Sequence, residues 1–116
     1  MQVEHVDFVA VPTRDPERAV AFYREVLGLS ESAPGEVDAP NVTLSFWNPE
    51  RDGEEFEPNT AGIALRVADV HAAVEEYSAA GGEVIGIEDT GVCHMGFVRD
   101  PDGNTLILHR RYAPRG

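Results

Sequence analysis

One stretch of this sequence occurs twice. Phe8-Val9-Ala10-Val11-Pro12-Thr13-Arg14-Asp15, followed by a helical run to Gly28, returns 54 residues later as Gly62-Ile63-Ala64-Leu65-Arg66-Val67-Ala68-Asp69, followed by a helical run to Gly82. The register holds without a gap, because Val9 matches Ile63, Val11 matches Leu65, Asp15 matches Asp69 and Tyr23 matches Tyr77. Self-similarity of this kind means two copies of one supersecondary unit. The units run over about residues 3–53 and 60–110 of a single domain at 1–116. Each copy begins strand, turn, helix.

The local chemistry supports that order. From Val3 to Val11 the apolar residues Val9 and Val11 alternate with Phe8, Ala10 and Pro12, which reads as a strand filled on both faces and ended near Pro12. Asp15-Pro16-Glu17 is a helix start: the carboxylate accepts from orphan N–H groups, proline at the first position loses no needed donor, and Glu17 suits the positive end. Ala19, Phe22, Tyr23 and Val26 share one helical face, and Gly28 supplies a left-handed terminator. Residues 30–41 are rich in Ser, Pro, Gly and acids and are expected to form a mobile connection, a candidate lid with at most a short strand near Ser32 to Val37. Val42 to Asn48 alternates Val42, Leu44 and Phe46 with Thr43, Ser45 and Trp47, the pattern of a strand with one core face and one more polar face. The acidic run from Asn48 to Asn59 reads as a solvated linker.

In the second copy, Asp69 caps a helix whose Val70, Ala73, Val74 and Tyr77 share a face, and Gly81-Gly82 closes it. A short strand follows over Glu83 to Ile87. Val92 to Arg99 and Thr105 to His109 flank Asp100-Pro101-Asp102-Gly103-Asn104, a turn that makes these two strands antiparallel. The sum is an α+β fold of strand, helix and about three strands, twice over, with the helices packed on one face of the sheets.

Composition narrows the function. With 21 acidic and nine basic residues the formal charge is −12, which repels nucleic acid phosphates and anionic membranes, so neither is expected as a partner. Acidity favours a cationic ligand, although surface charge more often serves solubility alone. The short basic end with Arg110, Arg111 and Arg115 reads as a solvated terminus. No apolar run is long enough to span a bilayer, no secretion signal is seen, and the lone Cys93 cannot form an internal disulfide, so a cytoplasmic location is expected.

The run Arg18-Ala19-Val20-Ala21-Phe22-Tyr23-Arg24-Glu25-Val26-Leu27-Gly28-Leu29, the repeat at Gly62 to Val67, and Arg99-Asp100-Pro101-Asp102-Gly103-Asn104 together resemble the vicinal oxygen chelate superfamily. That superfamily includes glyoxalase I, extradiol dioxygenases, and fosfomycin and bleomycin resistance proteins. The resemblance implies paired βαβββ units forming a cupped mixed sheet with a ligand cavity, commonly in a homodimer. Carried onto this chain, the positions of the family's metal ligands are Phe8, Leu44 or its neighbours Thr43 and Ser45, Gly62 and Ile107. None is a good divalent-metal ligand, so neither metal nor other cofactor is expected.

If Phe8, Gly62 and Ile107 face inward, alternation puts Ala10, Arg66, Thr105 and His109 on the same side, and pairing across the turn adds His94, Gly96 and Val98. Cys93, Met95, Phe97, Leu106 and Leu108 would then face the helices. The candidate ligand-binding residues are Phe8, Thr43, Ser45, Trp47, Arg66, His94, Val98, Ile107 and His109. His94 and His109 are candidates for an acid/base pair, although a hydrogen-bonded strand histidine is the commoner outcome. Arg66 could clamp a carboxylate, against the more usual pairing with a nearby glutamate. Trp47 and Phe8 suit stacking on a planar ligand, with core filling as the alternative. Cys93 has no base on its own face and reads as an inert thiol. The first functional expectation is a metal-free small-molecule-binding protein. The alternative is an enzyme, a lyase, isomerase or dioxygenase relative, using His94, His109 and Arg66, with or without a metal held in a new place.

Overall fold

The computed structural model describes residues 1–114, so Arg115 of the basic end lies outside the described residues. The chain divides into two units, Met1–Glu57 and the residues from Pro58 on. In the first, β1 (Phe8–Pro12) is followed by α1 (Pro16–Glu25), β2 (Ser30–Ala33), β3 (Glu36–Asp38) and β4 (Thr43–Trp47). Its sheet has the order β1-β4-β3-β2, with β1 parallel to β4 and the other pairs antiparallel. The second unit repeats this plan. There β5 (Ile63–Arg66), α2 (Val70–Ala79), β6 (Glu83–Asp89), β7 (Cys93–Arg99) and β8 (Thr105–Arg111) form a sheet of order β5-β8-β7-β6. This is the expected α+β fold of two βαβββ units.

The helix starts are built as their chemistry requires. Asp15 accepts from the Arg18 N–H at 3.1 Å and Asp69 from the Ala72 N–H at 3.1 Å, each satisfying one orphan donor of the first turn. Past α1, Gly28 takes φ 71°, which lets the chain reverse while Leu29 N–H bonds back to the Tyr23 carbonyl. Each helix packs one face of its own sheet. In the first unit Val11, Val20, Tyr23, Val37, Leu44 and Phe46 are buried there, with the Tyr23 and Phe46 rings edge to face at 4.8 Å. In the second the buried set is Val70, Val74, Tyr77, Val98, Leu106 and Leu108.

Several boundaries differ from the sequence expectations. The first strand starts at Phe8, not Val3. The supposed mobile connection at residues 30–41 is a hairpin of β2 and β3 turning at Pro34-Gly35, with Gly35 at φ 79°. Val37 explains it: a fully buried valine pairs with Leu44 and ties the hairpin to the core, so the segment is an edge of the sheet and not a lid. Within the supposed linker, Pro49–Asp52 forms a short 3₁₀ turn. The basic end is not merely solvated, since Arg110 and Arg111 extend β8.

The largest correction concerns β7. Its register on β8 pairs Met95 with His109, Phe97 with Ile107 and Val98 with Leu106. Paired residues share a face, so His94, Gly96 and Val98 lie on the α2 side with Leu106 and Leu108, while Cys93, Met95 and Phe97 lie opposite. Val98 is 0% exposed, and a Cβ added at Gly96 would stand 2.5 Å from Val74 Cγ2 of α2. The expected alternation of this strand is therefore inverted.

The turn that sets the register buries Asp100, Asp102 and Asn104. One Asp100 carboxylate oxygen accepts the N–H groups of Asp102 and Asn104, each at 2.9 Å, and the other takes the Asn104 amide at 2.9 Å. Asn104 also accepts the Asn59 N–H at 2.8 Å, clamping the strand that leads into β5. The Asp100 to Asn104 motif thus acts as a structural latch.

Candidate functional site

In the first unit, β1 pairs with β4 so that Phe8 lies against Thr43, Ala10 against Ser45 and Pro12 against Trp47, all on the face opposite α1. The same strands put Val11, Leu44 and Phe46 under the helix. Phe8, Thr43, Ser45 and Trp47, the four sequence candidates of this unit, therefore share one open face. β3 brings Glu36 beside Ser45 and Asp38 beside Thr43 on it, and the Thr43 hydroxyl donates to Asp38 at 2.5 Å.

An open cavity of about 590 Å³ lies on this face, bounded by Phe8, Ala10, Ser45, Trp47, Arg51 and Asp52. Its size fits a small ligand. Phe8 is 58% and Trp47 41% exposed, more than core packing leaves to large aromatic side chains. The indole N–H of Trp47 donates to Asp52 Oδ2 at 2.7 Å, which fixes the ring. Asp52 is placed by the 3₁₀ turn. Asn48 caps that turn by accepting the Glu50 N–H at 3.0 Å, and Gly53 ends it at φ 75°. Arg14, beside the turn, stacks over Phe56 at 4.2 Å and approaches Glu50 at 3.8 Å. Asp52 and Arg51 are absent from the sequence candidates because an acidic run of this composition reads as a linker. The missed signal is Asn48-Pro49 followed by Gly53, a capped single turn.

In the second unit, Arg66 pairs with His109 and Ala64 with Ile107, so Arg66, Ile107 and His109 share the face opposite α2, where Met95 and Phe97 join them. Two candidates are not there. Val98 is core. His94 faces α2, where its ring meets His71 at 5.2 Å and Tyr112 at 4.7 Å, and its Nε2 lies 3.4 Å from Asp89. The Gly91 N–H first, then the Tyr112 hydroxyl, hold the Asp89 carboxyl below the usual carboxylate range. His94 and His109 stand on opposite faces of their sheet, so no acid/base pair is assembled from them.

The family-model comparison matches residues 5–108 to the Glyoxalase/Bleomycin resistance protein/Dioxygenase superfamily. The chain belongs to this superfamily. Among superfamily relatives, a "Probable lactoylglutathione lyase" of Vibrio parahaemolyticus is 32% identical over 88% of both proteins. TnmS3, an antibiotic binding protein from Streptomyces sp. CB03234, is 27% identical with a TM-score of 0.77, covering 97% of this chain and 99% of that one. A superfamily enzyme from Burkholderia phytofirmans, at TM-score 0.79 and 20% identity over 94% and 100% of the two chains, shares the fold.

Superfamily resemblance assigns the metal positions to Phe8 and to Thr43, Leu44 or Ser45 in the first unit, and to Gly62 and Ile107 in the second. These residues do not fit a divalent ion. Phe8, Leu44, Gly62 and Ile107 have no donor atoms in their side chains, and hydroxyls alone hold such ions weakly. Gly62, at φ +97°, is also crowded, because a Cβ there would lie 3.0 Å from Ile107 Cδ1. A liganding side chain at 62 would have to displace Ile107. Among the described residues, no three His, Cys, Asp or Glu side chains come together to hold a metal, and no helix is long and apolar enough to cross a membrane.

Proposed function

We propose that the chain is a small-molecule-binding protein of its superfamily that holds a planar ligand on the open face of the first unit without a metal. Phe8 and Trp47 supply stacking surface, and Ser45 and Thr43 supply hydroxyls. The observation that carries this reading is the pairing of an exposed, hydrogen-bonded indole with a fitting cavity, where the metal-dependent pattern would need ligands and finds Phe8. The similarity to an antibiotic binding protein over nearly the whole of both chains supports it. Arg66, Ile107 and His109 form a second ligand-contacting surface in this proposal, and the protein acts as a homodimer.

Elemental analysis of protein purified without chelator tests the reading, with well below one zinc, nickel, manganese or iron per chain as the expected result. Near one ion per chain would overturn it. Light scattering should give twice the chain mass of 12.6 kDa.

A second reading, an enzyme, is favoured by the relative named as a lactoylglutathione lyase. His94 does not face the sheet surface that carries Arg66 and His109, so those two are the residues left to such chemistry. Formation of lactoylglutathione by the purified protein with added divalent metal, lost in His109→Ala, would put this reading ahead of binding alone.

A further inference from the structure

We infer that the cavity beside Trp47 selects flat cationic ligands over neutral or anionic ones, and that Asp52 is the residue that confers the selection. This rests on the binding reading above and names its ligand class. Three observations of the first unit carry it.

First, the wall is an indole. A cation over the face of tryptophan is attracted by the ring's negative π-surface, more so than over phenylalanine or tyrosine. Trp47 is exposed enough to present that face, and Phe8 offers a second ring on the same side of the sheet. Second, Asp52 lines the cavity and accepts the indole N–H through Oδ2. The carboxylate thus fixes the ring's orientation and adds negative charge at its edge. Third, Glu36 and Asp38 stand in register beside Ser45 and Thr43, on the face that carries the cavity. Arg51 is the basic side chain at the cavity wall. Against it stand Asp52 in the same wall and these two carboxylates on the same face, so the local balance is negative. Among the described residues that line the cavity, Arg51 is the one an anion would meet, and it stands beside Asp52.

The test uses the full chain and three flat tricyclic probes of similar size: an aminoacridinium cation, neutral acridone, and an anthraquinone sulfonate anion. Binding is read by calorimetry and by Trp47 emission. The cation should bind about tenfold more tightly than acridone, and the anion more weakly than either. Raising salt from about 0.1 M to about 1 M should weaken the cation alone, since these partly exposed charges are screened. Asp52→Asn separates the two roles of the residue, because an amide oxygen still accepts the indole N–H while the charge is gone. It should reduce the cation's advantage over acridone to about twofold or less. Arg51→Gln should widen the cation's advantage over acridone. If acridone binds as tightly as the cation, or if Asp52→Asn keeps the preference intact, the inference fails while the binding reading stands. If none of the probes binds or alters Trp47 emission, both fail.

Discussion

Gly96→Ala should destabilise the second unit because a single methyl group has no room under α2. The added Cβ would lie 2.5 Å from Val74 Cγ2 and 3.3 Å from Val70 Cγ1. Carbon atoms rest at roughly 3.5–4.0 Å, so either the helix or β7 must give by about an ångström. Overpacking of this size costs about 1–3 kcal/mol, and the lower entropy of alanine in the unfolded chain returns about 0.4–1 kcal/mol. The net loss is then about 1–2 kcal/mol, or roughly 4–8 °C in Tm for a chain of this length. Urea denaturation followed by circular dichroism measures it. Gly86→Ala is the internal control, since an added Cβ there meets nothing within 4 Å, and with only the unfolded-chain entropy to act it should gain about 0.4–1 kcal/mol instead of losing stability. Val74→Ala makes space opposite, so the double variant Gly96→Ala/Val74→Ala should lose less than the sum of the two single changes. If Gly96→Ala were as stable as the parent protein, Gly96 could not lie beneath α2. The facing of His94 and Val98 toward that helix would fall with it.

Three further outcomes are expected. Phe46→Ala should cost about 3–4 kcal/mol of stability by emptying a buried site against Tyr23, whereas Trp47→Ala should spare the fold but weaken aminoacridinium binding by about 1–3 kcal/mol; equal losses of stability would place Trp47 in the core. Because the folded-state pKa of Asp89 is lowered, its contribution to stability is present above the ordinary carboxylate pKa and lost as pH falls through the lowered value. Tyr112→Phe removes one of the donors, at 2.7 Å, and should raise the Asp89 pKa toward its ordinary value in a carboxyl-carbon NMR titration; an unmoved titration would discard that hydrogen bond. Asp15→Ala and Asp69→Ala should each lower stability by about 1 kcal/mol in chemical denaturation, while Asp15→Asn, which keeps an acceptor, should lose far less.

The architecture was legible where the signal is local. Asp15 and Asp69 are caps because a carboxylate just before a helical face meets orphan N–H groups whatever else the chain does, and the two copies announce one repeated unit. β4 could be oriented from sequence because Leu44 and Phe46 alternate with Thr43, Ser45 and Trp47, and burial of one face enforces that alternation. This placed Thr43, Ser45 and Trp47 on a common face, and the superfamily resemblance, not alternation, put Phe8 with them, where it pairs with Thr43.

β7 could not be oriented that way, since Cys-His-Met-Gly-Phe-Val-Arg carries apolar residues on both faces and gives no preference for either. Two tertiary facts decide it. The Asp100 N–H bonds to the Asn104 carbonyl, so Arg99 pairs with Thr105 and Phe97 with Ile107. Gly96 is also small enough to let α2 descend onto the strand. Together they carry His94 to the helix side and leave His109 with Arg66. Asp52 was out of reach for a related reason: its partner Trp47 is five residues away, but the two meet only because an Asn48-capped turn folds the acidic run back over the open face. Sequence by itself determined the repeat, the family, the two helices and the strands on either side of the Asp100 to Asn104 turn, which rest on neighbours along the chain, whereas the β2–β3 hairpin needed Val37 buried against Leu44. Which side chains share a face in β7, and which acid meets the indole, depend on backbone contacts closed across a turn, and only the folded structure decided them.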